Sequence, residues 1–206
     1  MKWLLVYLLC CAEASLANGN AAADMLARAA RLGDLKALES LLSLSMNADS
    51  RDTNGHTPLY YAVAFNQTTA VALLLACHAD PNTRVSINSI TPQPPETPLQ
   101  SAAELGNKHV ASLLIAAGAR INEKGPAGRT ALHYARGQLH VLQLLIEKGA
   151  DVNSRDEDGA SPLDDAAWYD SLDTVAILLA HGARLNESEP KTGATPRLQA
   201  PRCGRV

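Results

Sequence analysis

The most regular feature of the chain is an alternation of a polar turn, a short apolar segment and a longer leucine-rich segment, which occurs four times. Each copy begins with a triplet of the Thr-Pro-Leu type and closes with an element of the Gly-Ala-x-x-Asn type. The triplets are residues 57–59, 97–99, 130–132 and 161–163, and the spacing from triplet to closing Asn is 25, 25, 23 and 25 residues. A pattern that recurs at this interval predicts a stack of small units and not one globule.

Each copy of the pattern predicts two helices. The Thr or Ser of the triplet is a favourable helix N-cap, and the proline after it suits the first helical position. The second helix carries apolar residues three and four apart, which places them on one face toward the next unit. We expect the closing Asn to help form the next turn of the chain. Between the helices the chain breaks at residue types that tolerate a left-handed backbone, namely Gly33, Asn66, Gly106 and Asp170.

These motifs resemble the ankyrin repeat family, whose pattern joins Asp-x-x-Gly-x-Thr-Pro-Leu-His to Ala-Ala-x-x-Gly and Leu-Leu-x-x-Gly-Ala-x-Val-Asn. The resemblance covers residues 21–186 and implies an all-α solenoid of helix-turn-helix repeats joined by short turns or hairpins. It gives five units, at residues 21–49, 50–82, 90–122, 123–153 and 154–186. The first unit lacks the leading triplet, so we expect it to be an atypical cap of the stack.

The chain departs from this pattern at three places. The histidine of the family motif is present only as His133, and the resemblance implies that it bonds a turn and is not a ligand. The fourth unit is two residues short around residues 135–137, which predicts a tightened turn between its helices and a local packing defect. Residues 84–96 hold a proline-rich insertion. It predicts a stiff, extended loop, either a tolerated surface insertion or a finger on the side that this family uses for partners.

The N-terminal residues have the pattern of a secretory signal peptide. Lys2 precedes an apolar run from Trp3 to Ala12, and small residues come next as candidates for cleavage. We therefore expect residues 1–17 to direct export, to a bacterial periplasm or to the extracellular space. A buried or frayed apolar N-terminus is the alternative. Cleavage would leave Cys77 and Cys203, which the stack would separate by roughly 25 Å or more, too far for a disulfide unless the C-terminal residues fold back.

Composition narrows the classes of activity. The net charge of -3 argues against a general nucleic-acid or anionic-membrane binder, and no stretch offers the apolar length of a membrane span. The histidines lie without metal-ligand spacing, and the side chains of Asp164 and Asp165 diverge because the two residues are adjacent on a helix. No phosphate loop or nucleophile motif occurs. We expect a protein that is not an enzyme, with no cofactor, no metal and no nucleic-acid partner.

The aromatic residues beyond residue 17 all fall on the predicted first helices, which line the concave face in the ankyrin family. We expect Tyr61 and Tyr134 to pack between units. The resemblance implies that the aromatics after the small residues stand at positions left to recognition, so we expect them to contact a partner, and packing in the core is the alternative. Residues 154–173 also hold seven acidic residues against one arginine. They form either a solvated face with capping roles or a surface for a basic partner. The candidate partner-binding residues are Phe65, Glu104, Arg136, Glu157, Asp158, Trp168 and Tyr169.

Two functions are consistent with these features. The leading hypothesis is an exported interaction module that binds an unidentified protein through its concave-face helices and turn tips. The alternative is a structural or accessory subunit that docks into a larger assembly. It is based on residues 187–206, where Gly193-Ala194-Thr195-Pro196 begins another unit that is not completed. This segment is either a truncated repeat or a disordered tail.

Overall fold

A computed structural model describes residues 20–84, 96–169 and 171–185. These residues form ten α-helices and one 3-10 turn (Pro126–Gly128), so the predicted all-α class is confirmed. Residues 1–17, for which a signal peptide is predicted, lie outside the described residues, as do nearly all of the proline-rich insertion and the segment 187–206. The helices are α1 (Asn20–Leu32), α2 (Leu35–Ser43), α3 (Pro58–Ala64), α4 (Thr68–Ala76), α5 (Pro98–Glu104), α6 (Lys108–Ala116), α7 (Ala131–Tyr134), α8 (Leu139–Glu147), α9 (Pro162–Trp168) and α10 (Leu172–Ala180).

Consecutive helices pair into five units, and the units stack in chain order. The first helices (α1, α3, α5, α7 and α9) contact one another in one row, and the second helices (α2, α4, α6, α8 and α10) contact one another in a second row. Each unit therefore touches its neighbours, and the predicted solenoid is confirmed. In the described part of the chain, no helix is both long and apolar enough to cross a membrane.

The core runs continuously between the two rows of helices. Equivalent positions are buried in unit after unit, since a single unit is too small to cover its own apolar face. In the first helices these positions are the triplet leucine and an alanine three residues later: Leu59, Leu99, Leu132, Leu163, Ala62, Ala102, Ala135 and Ala166. In the second helices of units two to five, one equivalent position is held by a fully buried leucine: Leu74, Leu114, Leu145 and Leu178.

The helix starts and breaks agree with the sequence pattern. The side-chain oxygens of Thr57, Thr97 and Ser161 accept hydrogen bonds from the backbone N–H three residues later, at 3.3, 3.3 and 3.2 Å. These contacts satisfy donors that a helix start otherwise leaves unpaired. The predicted left-handed residues are confirmed where they are described, with φ of 69° at Gly33, 58° at Asn66 and 70° at Gly106. Asp170 lies outside the described residues.

The side chains of the closing asparagines in units two to four have a role that the sequence analysis did not predict. The amide of Asn122 donates to the Gly149 carbonyl at 3.1 Å, and its oxygen accepts from the Asp151 N–H at 2.9 Å. Asn82 and Asn153 make the same pair of bonds to the closing turns of the units that come after them. The side chains of these three asparagines therefore tie each unit to the equivalent turn of the next unit. In unit one, Asn47 accepts from the Asp49 N–H at 2.9 Å and so helps form the turn directly after it, as expected.

The fourth unit is shortened as predicted. Its first helix, α7, has 4 residues, whereas α3, α5 and α9 have 7 each. The chain turns at residues 135–137, where Gly137 has a φ of 75° and Ala135 remains buried. The Nη1 atom of Arg136 is buried beside this turn without a hydrogen-bond partner among the described residues. Unit four thus has an imperfectly satisfied polar group at the point where two residues are missing.

Candidate functional site

One position in every unit lies at or just after the end of the first helix. It comes directly before the residue at which the sequence predicts the break between the two helices. Because the first helices stack in one row, these positions succeed one another along the same side of the molecule. We call this set the first-helix ridge. It consists of Leu32, Phe65, Leu105, Arg136 and Tyr169.

The apolar members of the first-helix ridge are unusually exposed. Exposed fractions are 60% for Leu32, 52% for Phe65, 52% for Leu105 and 54% for Tyr169. The Arg31 guanidinium lies 5.7 Å from the centre of the Phe65 ring, and the Arg136 guanidinium lies 4.1 Å from that of Tyr169. Such cation–π contacts hold the rings in place. A partner would therefore meet side chains that are already oriented, which lowers the entropy cost of binding.

A second set of side chains lies beside the ridge. Glu104 and Trp168 occupy the residue before the ridge position in units three and five, and both are exposed. Trp168 is 63% exposed, so with Tyr169 it presents two neighbouring aromatic rings at the end of α9. Trp and Tyr are the residue types most enriched among side chains that dominate binding energy.

Unit three brings negative charge to this side. Glu96 accepts a hydrogen bond from the Ser101 hydroxyl at 3.2 Å. Burial raises the pKa of Glu96, and the nearby charge of Glu104 raises it further. Burial also raises the pKa of Tyr134 to about 12, with Glu96 acting in the same direction. Within the described residues neither glutamate has an ion-pair partner, so their negative potential is free to attract a cation.

The acidic stretch of unit five is less exposed than its sequence suggests. Asp156 and Asp165 are buried, and the Arg129 guanidinium bonds to them at 3.3 and 3.1 Å. Burial raises the pKa of Asp165, although Arg129 partly offsets this. Glu157 and Asp158 remain exposed in the turn before α9. Among the described acidic residues of this stretch, the exposed ones are therefore Glu157 and Asp158 at the turn tip and Asp173 at the start of α10.

Polar side chains at the third helical position join each unit to the next hairpin. His133 accepts from the Thr130 N–H through Nδ1 at 3.1 Å and donates from Nε2 to the Ala160 carbonyl at 3.2 Å. Burial lowers the pKa of His133, which favours this neutral form. In unit three, Gln100 accepts from the Thr97 N–H at 2.9 Å and donates to the Arg129 carbonyl at 3.0 Å. The expected turn role of His133 is confirmed, and Gln100 performs the same role.

Asp164 occupies this third position in unit five, where it closes a capping box. It accepts hydrogen bonds from the backbone N–H and the hydroxyl of Ser161, at 2.8 and 2.7 Å. The capping interpretation of the acidic stretch therefore accounts for Asp164. A carboxylate has no N–H to donate. Unlike Gln100 and His133, Asp164 therefore cannot donate a hydrogen bond to a backbone carbonyl of a following hairpin.

The other sequence-based expectations concern the core, the cysteines and metal ligands. Tyr61 and Tyr134 are half-buried and pack against the core, as expected. Cys77 is a free thiol, and Cys203 lies outside the described residues. Among residues 20–84, 96–169 and 171–185, no group of three or more His, Cys, Asp or Glu side chains could hold a metal ion.

The structure groups most of the predicted site residues. Phe65, Arg136 and Tyr169 belong to the first-helix ridge, and Glu104 and Trp168 lie beside it. The other two candidates, Glu157 and Asp158, lie on a turn tip. The sequence analysis missed Leu32 and Leu105. The signal that would have found them is their position directly before a left-handed glycine.

Comparison with known proteins agrees with this architecture. Ankyrin repeats (3 copies) match residues 1–85, 85–156 and 128–189. A glycerophosphocholine phosphodiesterase, gde1, of Schizosaccharomyces pombe is 34% identical over 104 residues, which is 50% of this chain and 9% of that protein. The interferon antagonists OPG039 of monkeypox virus and OPG040 of vaccinia virus are 36% and 35% identical over 100 residues. Each match covers 48% of this chain and 32% of the viral protein.

The chain therefore spans a third or less of the length of each of these relatives, and the likeness is to a part of each. The family match is broader, because it extends over most of the chain and over all five units of the solenoid. Ankyrin repeats are protein-interaction modules. The chain belongs to the ankyrin repeat family.

Proposed function

We propose that the chain is a non-enzymatic module that binds a protein partner through the first-helix ridge together with Glu104 and Trp168. The observation that carries this proposal is the row of exposed apolar side chains at one position of successive units. Exposed apolar side chains that recur along one side of a folded protein indicate an interaction site. Scattered exposed residues would not recur at the same place in units one, two, three and five.

The spacing and charge of the ridge define the chemistry of the partner. Neighbouring helices lie about 8–10 Å apart, and two turns of an α-helix advance about 11 Å. A partner helix with an apolar residue every seven positions would therefore contact successive ridge residues. Glu96 and Glu104 in unit three, with Glu157 and Asp158 at the turn tip, favour a basic residue in that partner through complementary charge.

The binding proposal is tested with the double variant Trp168→Ala/Tyr169→Ala. Partners are captured from the native compartment by proximity labelling with the unaltered chain, and their affinity is then measured with purified proteins. Because truncating a central aromatic costs about 2 kcal/mol or more, the double variant is expected to weaken binding at least about thirtyfold. Leu44→Ala is the matched control, since Leu44 is exposed and apolar but lies outside the ridge. Equal affinity of the double variant and the control would show that the site is wrong.

We also propose that the module works outside the cytoplasm, in a bacterial periplasm or the extracellular space. The support is Lys2 followed by the apolar run from Trp3 to Ala12 and small residues up to Ala17. The test is to express the full chain and determine the N-terminal residue of the exported product by mass spectrometry. A product that stays in the cytoplasm with residues 1–17 attached would refute export.

A further inference from the structure

The last unit leaves one face uncovered that the earlier units bury. Val63 and Ala103 occupy the same position in units two and three and are covered by the next unit in each case, with exposures of 2% and 0%. Ala167 occupies this position in unit five and is exposed. Val175 is half-buried, whereas the equivalent residue of each preceding unit is fully buried. The difference is that none of the described residues continues past Leu185 to cover this face.

The same face extends to the second helix and the closing turn. Leu179 and Leu185 are 38% and 65% exposed. Their equivalents in units two to four are all half-buried. We call Asp164, Ala167, Val175, Leu179 and Leu185 the end face. It is an apolar surface with one carboxylate at its turn edge.

Asp164, the polar residue of the end face, is a hydrogen-bond acceptor, whereas the preceding units place a donor at this position. At the two preceding junctions, Gln100 and His133 donate an N–H to a backbone carbonyl of the next hairpin. Asp164 offers only acceptor oxygens in this position, and an adjoining carbonyl would be repelled. An occupant that supplies cationic donors satisfies this carboxylate, and a further consensus hairpin does not.

The residues after unit five have this chemistry. The segment 191–206 holds four basic residues, Lys191, Arg197, Arg202 and Arg205, and no Asp or Glu. It begins six residues after Leu185, the last described residue of the end face. An extended chain spans about 3.3 Å per residue, so these sixteen residues reach across a face about two helices wide, roughly 20 Å.

We propose that the segment 191–206 docks on the end face of the same molecule and caps the solenoid, with its basic side chains paired to Asp164. The apolar part of the end face is then covered by a segment that does not complete a sixth repeat. The charge of the segment explains why an acceptor stands where the preceding units place a donor. This assignment concerns the stability and solubility of the stack and is independent of the partner site on the first-helix ridge.

The test compares amide hydrogen exchange in α10 between the full chain and a variant with Lys191, Arg197, Arg202 and Arg205 all changed to Gln. Loss of the cap is expected to speed exchange of the α10 amides by about tenfold while those of α3 and α4 are unchanged, because a stack opens locally from its ends. At 1 M salt, where the screening length is about 3 Å, the difference between the two proteins should largely disappear.

Two controls separate this proposal from other effects of charge. A variant with Arg28, Lys36, Lys108 and Lys148 changed to Gln removes the same charge from exposed positions elsewhere and should leave α10 unaffected. Asp164→Asn keeps the capping oxygen but removes the charge. If the segment pairs with Asp164, this change speeds exchange in the full chain and adds nothing to the neutralised segment.

Three outcomes would overturn the proposal. The first is unchanged exchange in α10 after neutralisation of the segment. The second is an equal effect of the control set of four substitutions. The third is protection of α10 that depends on protein concentration, accompanied by a dimeric mass in light scattering. The third result would assign the end face to a second copy of the chain.

Discussion

The hydrogen bonds of His133 allow a sharp test of how the units are joined. His133→Ala removes the acceptor of the Thr130 N–H, which is buried, and the donor to the Ala160 carbonyl, which is partly buried. Each buried polar group left unpaired costs about 1–3 kcal/mol. The variant is therefore expected to lose about 2–6 kcal/mol of stability, a large part of the total for a small domain.

The chain itself supplies the matched control. Gln100 makes the equivalent pair of bonds one unit earlier, so His133→Gln preserves both contacts and is expected to cost less than about 1.5 kcal/mol. The two proteins should also differ in pH dependence. Folding lowers the pKa of His133. As the pH falls below the ordinary histidine pKa of about 6.5, the unfolded chain therefore binds a proton at this residue before the folded chain does. The stability of the wild type decreases over this pH range, down to the folded pKa, and this decrease is absent in His133→Gln.

Urea unfolding followed by far-UV circular dichroism measures both effects. The midpoint and the slope should be recorded for the wild type, His133→Ala and His133→Gln at several pH values between 5 and 8. If His133→Gln is as unstable as His133→Ala, the two hydrogen bonds are not what His133 contributes. If the difference between the wild type and His133→Gln is the same at every pH, the buried histidine is not protonated on unfolding as argued.

Three further predictions concern the bonds between units, the buried carboxyl of Glu96 and the left-handed residue between the two helices of a unit. Asn122→Ala removes two bonds between units and should lower the unfolding free energy by about 1–3 kcal/mol, whereas Asn122→Asp keeps the acceptor and should lose less in the same titration. Glu96→Gln should raise the thermal midpoint at pH 7, because a raised carboxyl pKa makes ionisation unfavourable on folding. This gain should vanish as the pH falls below about 4. Gly106→Ala should lower the thermal midpoint, since its φ is 70° and a Cβ would meet the Gln138 side chain. Gly106→Asn should be milder, because Asn66 already occupies this position in unit two, and equal midpoints for the two variants would contradict the argument.

The sequence predicted the parts of the fold that depend on local chemistry. The triplets, the left-handed positions and the leucine spacing determine caps, breaks and buried faces within one unit, and these are properties of nearby residues. The contacts between units were harder to predict. The side-chain bonds of Asn122 were not predicted, because its partners lie a whole unit away. Asp165 was counted as surface charge, although Arg129 from another unit binds it in a buried position.

The candidate site likewise contains residues that the sequence alone predicted and residues that only the contacts between units reveal. Phe65, Trp168 and Tyr169 were predicted because aromatic residues are conspicuous in a chain that has few of them. Leu32 and Leu105 were missed because a leucine at a helix end looks like part of the core. Only the stacking of units shows that they continue the row of the aromatic residues on an exposed side.

The residue at the third helical position of a unit depends on the segment that comes after that unit. Gln100 and His133 stand at the two junctions where the next hairpin comes directly, and both donate to its carbonyls. Tyr60 holds the position before the proline-rich insertion and stacks instead on His56, with ring centres 4.6 Å apart. Asp164 holds it before the segment 187–206, which does not complete a repeat. The two junctions that lack an ordinary hairpin are therefore the two that lack an amide or imidazole donor. Because this residue must match backbone groups of the neighbouring unit, its identity in other chains of this architecture should indicate where a stack is interrupted or ends.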